Sequence, residues 1–169
     1  GSRGLGDVYK RQASGSSSNA IGVQTIASGQ FSTSIGVGAI ASGERSTAIG
    51  SNVTALANRS TAIGGDGTIA SGDHSLAMGQ GNIASADNSV AIGYATTASG
   101  NKSTSMGENT QATGANSTSM GRVTTASGSY STAMGFGSMS TGFGSTSTGV
   151  SSNAEGDYST AMGRLTRAY

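Results

Sequence analysis

Three neighbouring residues, Asp73-His74-Ser75, are the one place where acid, imidazole and hydroxyl meet in this sequence, and His74 is its only histidine. Such a set could serve acyl transfer, but a nucleophilic triad is defined by geometry, and three consecutive side chains cannot adopt it. A serine recurs through the chain as Ser18, Ser32, Ser46, Ser60, Ser75, Ser89, Ser103, Ser117, Ser131, Ser145 and Ser159. No base accompanies it, so each hydroxyl is expected to bond a turn backbone group or its stacked neighbour. Acid pairs for glycoside chemistry are equally scarce. Glu44, Glu108, Glu155 and Asp157 are scattered, and only the last two lie close together. Gly64-Gly65-Asp66-Gly67 has the composition of a calcium-binding turn, but it occurs once, and such sites draw ligands from successive repeats. It is expected to be an insertion loop. No Gly-Lys-Ser/Thr run exists for phosphate. Asn52, Asn58, Asn101 and Asn116 begin N-x-Ser/Thr sequons, which a chain so rich in Ser and Thr produces by chance. The chain has no cysteine, so it has no disulfide, thiol nucleophile or zinc thiolate. No reaction, cofactor or metal is expected.

Binding is a better use of these residues. The position before the recurring serine varies freely: Ser17, Phe31, Arg45, Arg59, His74, Asn88, Lys102, Asn116, Tyr130, Gly144 and Tyr158. Variable positions in turns face solvent. Phe31, Arg45, Arg59, His74, Lys102, Tyr130 and Tyr158 are therefore the candidate binding residues, displayed as an exposed stripe.

The elements that must hold this stripe follow from a repeat of 14 residues, Ala-Ser-Gly-x-x-Ser-Thr-Ala-Ile-Gly-x-x-x-x, present in eleven copies from Ala13 to Arg167. Only the copy containing Gly64-Gly65-Asp66-Gly67 is one residue longer, and the extra residue should bulge from a turn. Two glycine columns, one of them without exception from Gly22 to Gly163, account for much of the 29 glycines. They provide positive φ or close backbone approach at turns. Two glycines per repeat disfavour a helix. The repeat predicts an all-β parallel solenoid of eleven coils, each with two short strands and two turns. Stacked at ~4.8 Å, it makes a rod about 50 Å long. Net charge is +1, and no apolar run is long enough for a transmembrane helix, so neither nucleic acid nor a membrane span is implied.

Within Ser-Thr-Ala-Ile, strand alternation puts Ala and Ile on opposite faces. The large apolar residue is assigned to the inside. The expected core is thus Ile21, Ile35, Ile49, Ile63, Met78, Ile92, Met106, Met120, Met134 and Met162. Hydrophobic residues make up only 34% of the chain, leaving this core thin. Several chains packed along the rod would strengthen it, with the Ile/Met column on a shared axis.

The run Asn88-Ser89-Val90-Ala91-Ile92-Gly93 resembles the head repeat of YadA-like trimeric autotransporter adhesins. The same frame recurs as Ser32-Thr33-Ser34-Ile35-Gly36 and Ser131-Thr132-Ala133-Met134-Gly135. The resemblance covers about nine-tenths of the chain. It implies a left-handed parallel β-roll, one coil per repeat, assembled as a homotrimer. It also implies display on the bacterial cell surface, and adhesion to host matrix proteins such as collagen or to other surface ligands. The outer membrane would be reached only through regions outside this chain. On this reading residues 13–169 are the head repeat domain, cut inside a repeat at its C-terminal end. Residues 1–12 break the period and read as an adapter-derived or cloning-derived segment. The alternative is a shaft segment of a phage or virus tail fibre. An ice-binding solenoid is a weaker reading, resting on Thr33, Thr47, Thr61, Thr104, Thr118, Thr132, Thr146 and Thr160, a column interrupted by Leu76 and Val90.

Overall fold

Once every repeat, the chain makes a five-residue strand, a turn, a two-residue strand and a second turn, and then passes to the next coil. The computed structural model describes residues 11–169. All elements among them are strands. The long strands run from Asn19–Val23 and Thr33–Val37 to Thr160–Arg164, and together form an 11-stranded sheet. The short strands run from Gln12–Ala13 and Ile26–Ala27 to Arg167–Ala168, and form a 12-stranded sheet. Every pairing is parallel and joins equivalent residues of successive coils: Thr33, Ser34, Ile35 and Gly36 face Thr47, Ala48, Ile49 and Gly50. The all-β parallel solenoid of eleven coils expected from the repeat is therefore the fold. Among the described residues the first pairing joins Gln12 to Ile26, one residue before the first full repeat. The adapter-like reading of residues 1–12 otherwise falls on residues 1–10, outside the described part.

The extra residue lies where expected. The long strand Thr61–Gly64 is one residue shorter than its neighbours, and the chain then turns through Gly65-Asp66-Gly67-Thr68. The Thr68 N–H closes this turn on the Gly65 carbonyl at 3.2 Å. Register resumes with Thr54 opposite Ile69.

The two glycine columns serve different purposes. Gly36 has a φ of 131°, and a Cβ built on it would collide with the carbonyl oxygen of Gly50 in the next coil. Both its conformation and its surroundings exclude a side chain. Gly29, in the other column, has no left-handed φ, but a Cβ there would strike the Gly43 carbonyl. That second requirement is softer, since Ala57 and Ala86 occupy the column elsewhere.

The core differs from the one assigned on sequence. Within the coil lie alanines and small polar residues. Ala48, Ala62, Ala77 and Ala91 come from the long strands, Ala41, Ala55, Ala70 and Ala84 from the short ones, and all are fully buried. Ser46, Ser60, Thr68 and Thr96 complete the interior, with Val53 the largest apolar side chain wholly enclosed. Ile21, Ile35, Ile49, Ile63, Met78, Ile92, Met106, Met120, Met134 and Met162 lie instead on the outer face of the long-strand sheet. Ile21 is 48% exposed, Met106 38% and Met162 66%, and none of the ten is buried. The reason is volume. Two sheets joined by such tight turns leave room between them chiefly for side chains of alanine, serine and threonine size, and alternation then sends the larger neighbour outward.

Polar atoms in this narrow interior are partly matched. Asn82 is fully buried. It donates to the carbonyls of Met78 and Gly93 at 2.6 and 2.7 Å, and accepts from the Thr96 N–H and hydroxyl at 2.9 Å each. Further along the rod, buried hydroxyls meet across the coil, as Ser105 with Thr110 and Ser119 with Thr124, both at 2.8 Å.

Candidate functional site

The variable stripe is built by the turn between short and long strand. In each coil the column serine closes the turn through its backbone, as when the Ser46 N–H donates to the Gly43 carbonyl at 3.1 Å. The residue before it is then forced into left-handed geometry. Phe31, Arg45, Arg59, His74, Lys102, Tyr130 and Tyr158 all have φ between 55° and 59°. Such values are uncommon for residues with a side chain. The stacking pins them: the N–H of Arg45 donates to the Gln30 carbonyl at 2.7 Å, that of Arg59 to Glu44 at 2.8 Å, and that of His74 to Asn58 at 2.9 Å. All seven side chains are exposed. The stripe is thus a row of solvent-facing side chains on a rigid, regularly spaced backbone.

Neighbouring coils bring these side chains together in two groups. Towards the N-terminal end, the Arg45 guanidinium lies 5.7 Å from the Phe31 ring centroid, and Arg59 Nη1 donates to His74 Nε2 at 3.0 Å. A shallow groove runs here, lined by Glu44, Arg45, Asn58, Arg59, Asp73 and His74. Towards the C-terminal end, the Phe143 ring stands edge-on between Tyr130 and Tyr158, at centroid distances of 5.3 and 5.5 Å. Lys102 belongs to neither group. Phe143 did not stand out from the sequence because it lies one residue before the variable column, beside Gly144. The missing side chain at Gly144 is what makes room for the rings, since a Cβ there would press on Tyr158.

A second column, also overlooked on sequence, stiffens the stripe. The residue before each variable position is often Asp or Asn, and its side-chain oxygen accepts the N–H of the equivalent residue one coil earlier. Asn58 does this for Glu44 at 3.3 Å, Asp73 for Asn58 at 3.1 Å, Asp87 for Asp73 at 3.0 Å and Asp157 for Phe143 at 2.9 Å. The signal was present in the sequence as a run of short acids and amides at repeat spacing.

The candidates for chemistry have structural partners. Asp157 caps a backbone N–H, and Glu155 holds Arg167 through two bonds of 2.9 Å. That carboxylate raises the already high pKa of the Arg167 guanidinium, first by hydrogen bonding and then by charge. Glu108 pairs with Arg122 at 3.4 Å, and Asp66 accepts from Asn52 at 2.8 Å. The column serines are buried or half-buried, so they are not displayed as nucleophiles. Only some make the expected bond: Ser60, Ser89 and Ser145 donate to the carbonyl three residues back, at 2.7, 2.6 and 2.8 Å. The hydroxyls of Ser32, Ser46, Ser75 and Ser103 are buried without a partner.

Asn88-Ser89-Val90-Ala91-Ile92-Gly93 condenses the whole arrangement. Asn88 is the exposed left-handed residue, Ser89 and Ala91 point into the coil, Val90 and Ile92 lie half-buried on the outer face, and Gly93 has a φ of 132°. No protein of curated function matches the chain. The family model for the YadA head domain repeat, in two copies, matches residues 13–39, 27–52, 41–66, 70–96, 98–123, 112–138 and 140–166. These segments take in most of the sequence and follow the coils from the first repeat to the last, and the chain accordingly belongs to the YadA head domain repeat family.

Proposed function

We propose that this chain is a head segment of a trimeric bacterial surface adhesin, a rigid rod that spaces and presents a binding surface. It is displayed from the outer membrane through regions outside this chain. Host matrix or cell-surface ligands meet the exposed turns. Both the family and the solenoid are structural rather than enzymatic in character.

The observation that carries this reading is the outward Ile/Met column. It continues through the paired registers from Ile21 to Met134, is interrupted at Thr148, and resumes at Met162. An apolar stripe that runs unbroken over nine coils of the rod is a surface in need of a partner. Three copies related by an axis parallel to the rod bury it completely, with Thr33, Thr47, Thr61 and the other column threonines beside it. The same placement gives those threonines a packing role in the assembly, which competes with ice binding. The variable turns belong to a different part of the coil and stay exposed in such a trimer. The binding half is tested by coating wells with collagen and other matrix proteins and adding the full chain. Saturable retention on at least one protein supports the reading. Retention no greater than on albumin-coated wells, for a chain shown to be assembled, removes the adhesive role.

A further inference from the structure

The groove lined by Glu44, Arg45, Asn58, Arg59, Asp73 and His74 has more cationic donors than its surroundings use. Among the described residues, Arg59 forms no ion pair, and its one side-chain partner is the ring nitrogen Nε2 of His74. Arg45 approaches Glu44 only at 3.7 Å, through Nε, with both side chains about half exposed. A contact that long and that wet is weak. Two guanidiniums thus stand on adjacent coils, one beside the Phe31 ring and the other beside the His74 ring. The backbone bonds that pin Arg45 and Arg59 mean that only their side chains are left to be ordered on binding.

We propose that this groove is a binding subsite for a carboxylate-bearing sugar unit of an acidic glycan. The inference deepens the adhesin reading by naming a ligand class for one part of the variable stripe. A planar carboxylate matches the guanidinium fork of Arg59. The groove also holds Glu44 and Asp73, which balance the two arginines, so a single negative charge is accommodated better than a densely charged polyanion. The rest of the lining is polar. The Asn58 amide and the Glu44 and Asp73 carboxylates offer hydrogen bonds to sugar hydroxyls. They offer no apolar pocket of the kind that anchors a peptide side chain.

The test is a titration of the 15N-labelled full chain with sodium glucuronate, with glucose, sodium acetate and a glutamate-containing peptide in parallel. Glucuronate is expected to bind saturably in the millimolar range, with shifts confined to the coils carrying Arg45, Arg59 and His74. Arg59→Asn, which suits the left-handed position, is expected to weaken it at least tenfold while leaving the remaining spectrum in place. Met139→Thr, at an exposed short-strand position several coils away where the preceding coil already carries Thr125, should bind as the parent does. Equal shifts with acetate overturn the sugar part of the proposal, tighter binding of the peptide overturns the glycan class, and no saturation with glucuronate overturns the site. None of these results alters the assembled mass, which tests the adhesin-head reading separately.

Discussion

Arg59 Nη1 lies 3.0 Å from His74 Nε2, across one coil boundary. An arginine can only donate, so in this contact His74 accepts at Nε2, the role that the Nδ1–H tautomer supplies. The two side chains stand on consecutive left-handed residues of the exposed stripe, and their contact fixes the direction of a guanidinium that forms no ion pair. Long-range 15N–1H correlations of the neutral ring should show the Nδ1–H tautomer. An Nε2–H tautomer contradicts this geometry.

The inside of the coil and the outside of the sheet respond differently to neighbouring substitutions. Ala62 is fully buried, whereas Ile63 lies on the outer face. Ala62→Leu forces three extra carbons into an interior built for methyl groups, at a cost of about 1–3 kcal/mol or more. It should broaden or abolish the thermal transition followed by circular dichroism. Ile63→Asp should leave the β signal intact and disrupt assembly instead. Loss of β structure in Ile63→Asp, with Ala62→Leu unaffected, would reverse the assignment of the two faces.

Paired and unpaired serines of the same column should also diverge. Ser60 donates to the Ala57 carbonyl at 2.7 Å, while the Ser46 hydroxyl is buried without a partner. Removing the bonded hydroxyl in Ser60→Ala should cost about 1 kcal/mol. Ser46→Ala removes a desolvated, unpaired group and should be neutral or stabilising. Denaturant midpoints of the two variants decide it, and equal losses would contradict the difference in pairing.

Val123 has a φ of 57° and is 48% exposed. A β-branched residue is poorly suited to that conformation, whereas asparagine tolerates it. Val123→Asn is expected to stabilise the chain by about 1 kcal/mol, raising Tm by a few degrees. A lower Tm would mean that the packing of the Val123 side chain outweighs its backbone strain.

The period of the repeat, the two strands per coil, the glycine columns and the bulge at Gly65-Asp66-Gly67-Thr68 were all legible in the sequence. The direction of the large apolar residues was not. Alternation in Ser-Thr-Ala-Ile fits either Ala or Ile inside, and only the width of the finished coil decides between them. The narrowness that sends Ile49 outward is a property of two stacked turns together, beyond the reach of any single strand pattern. The exposed stripe was legible as variability, but its left-handed backbone was not, because Phe31, Arg45 and Tyr130 have no preference for positive φ. Their conformation is imposed by the turn and by bonds from the coil before. Contacts within the stripe, such as Arg59 with His74 or Phe143 between two tyrosines, join residues about one repeat apart. Stacking the repeats in register would have foretold their proximity, though not their geometry.

In the proposed trimer the outward Ile/Met column is covered by two further copies of the same chain. The mass of the full chain in solution, measured by light scattering over a concentration series with circular dichroism alongside, tests it most directly. The account predicts a β-rich particle of three chain masses that Ile63→Asp reduces to one. A folded single chain that stays monomeric at every concentration, its Ile/Met column open to water, would contradict it.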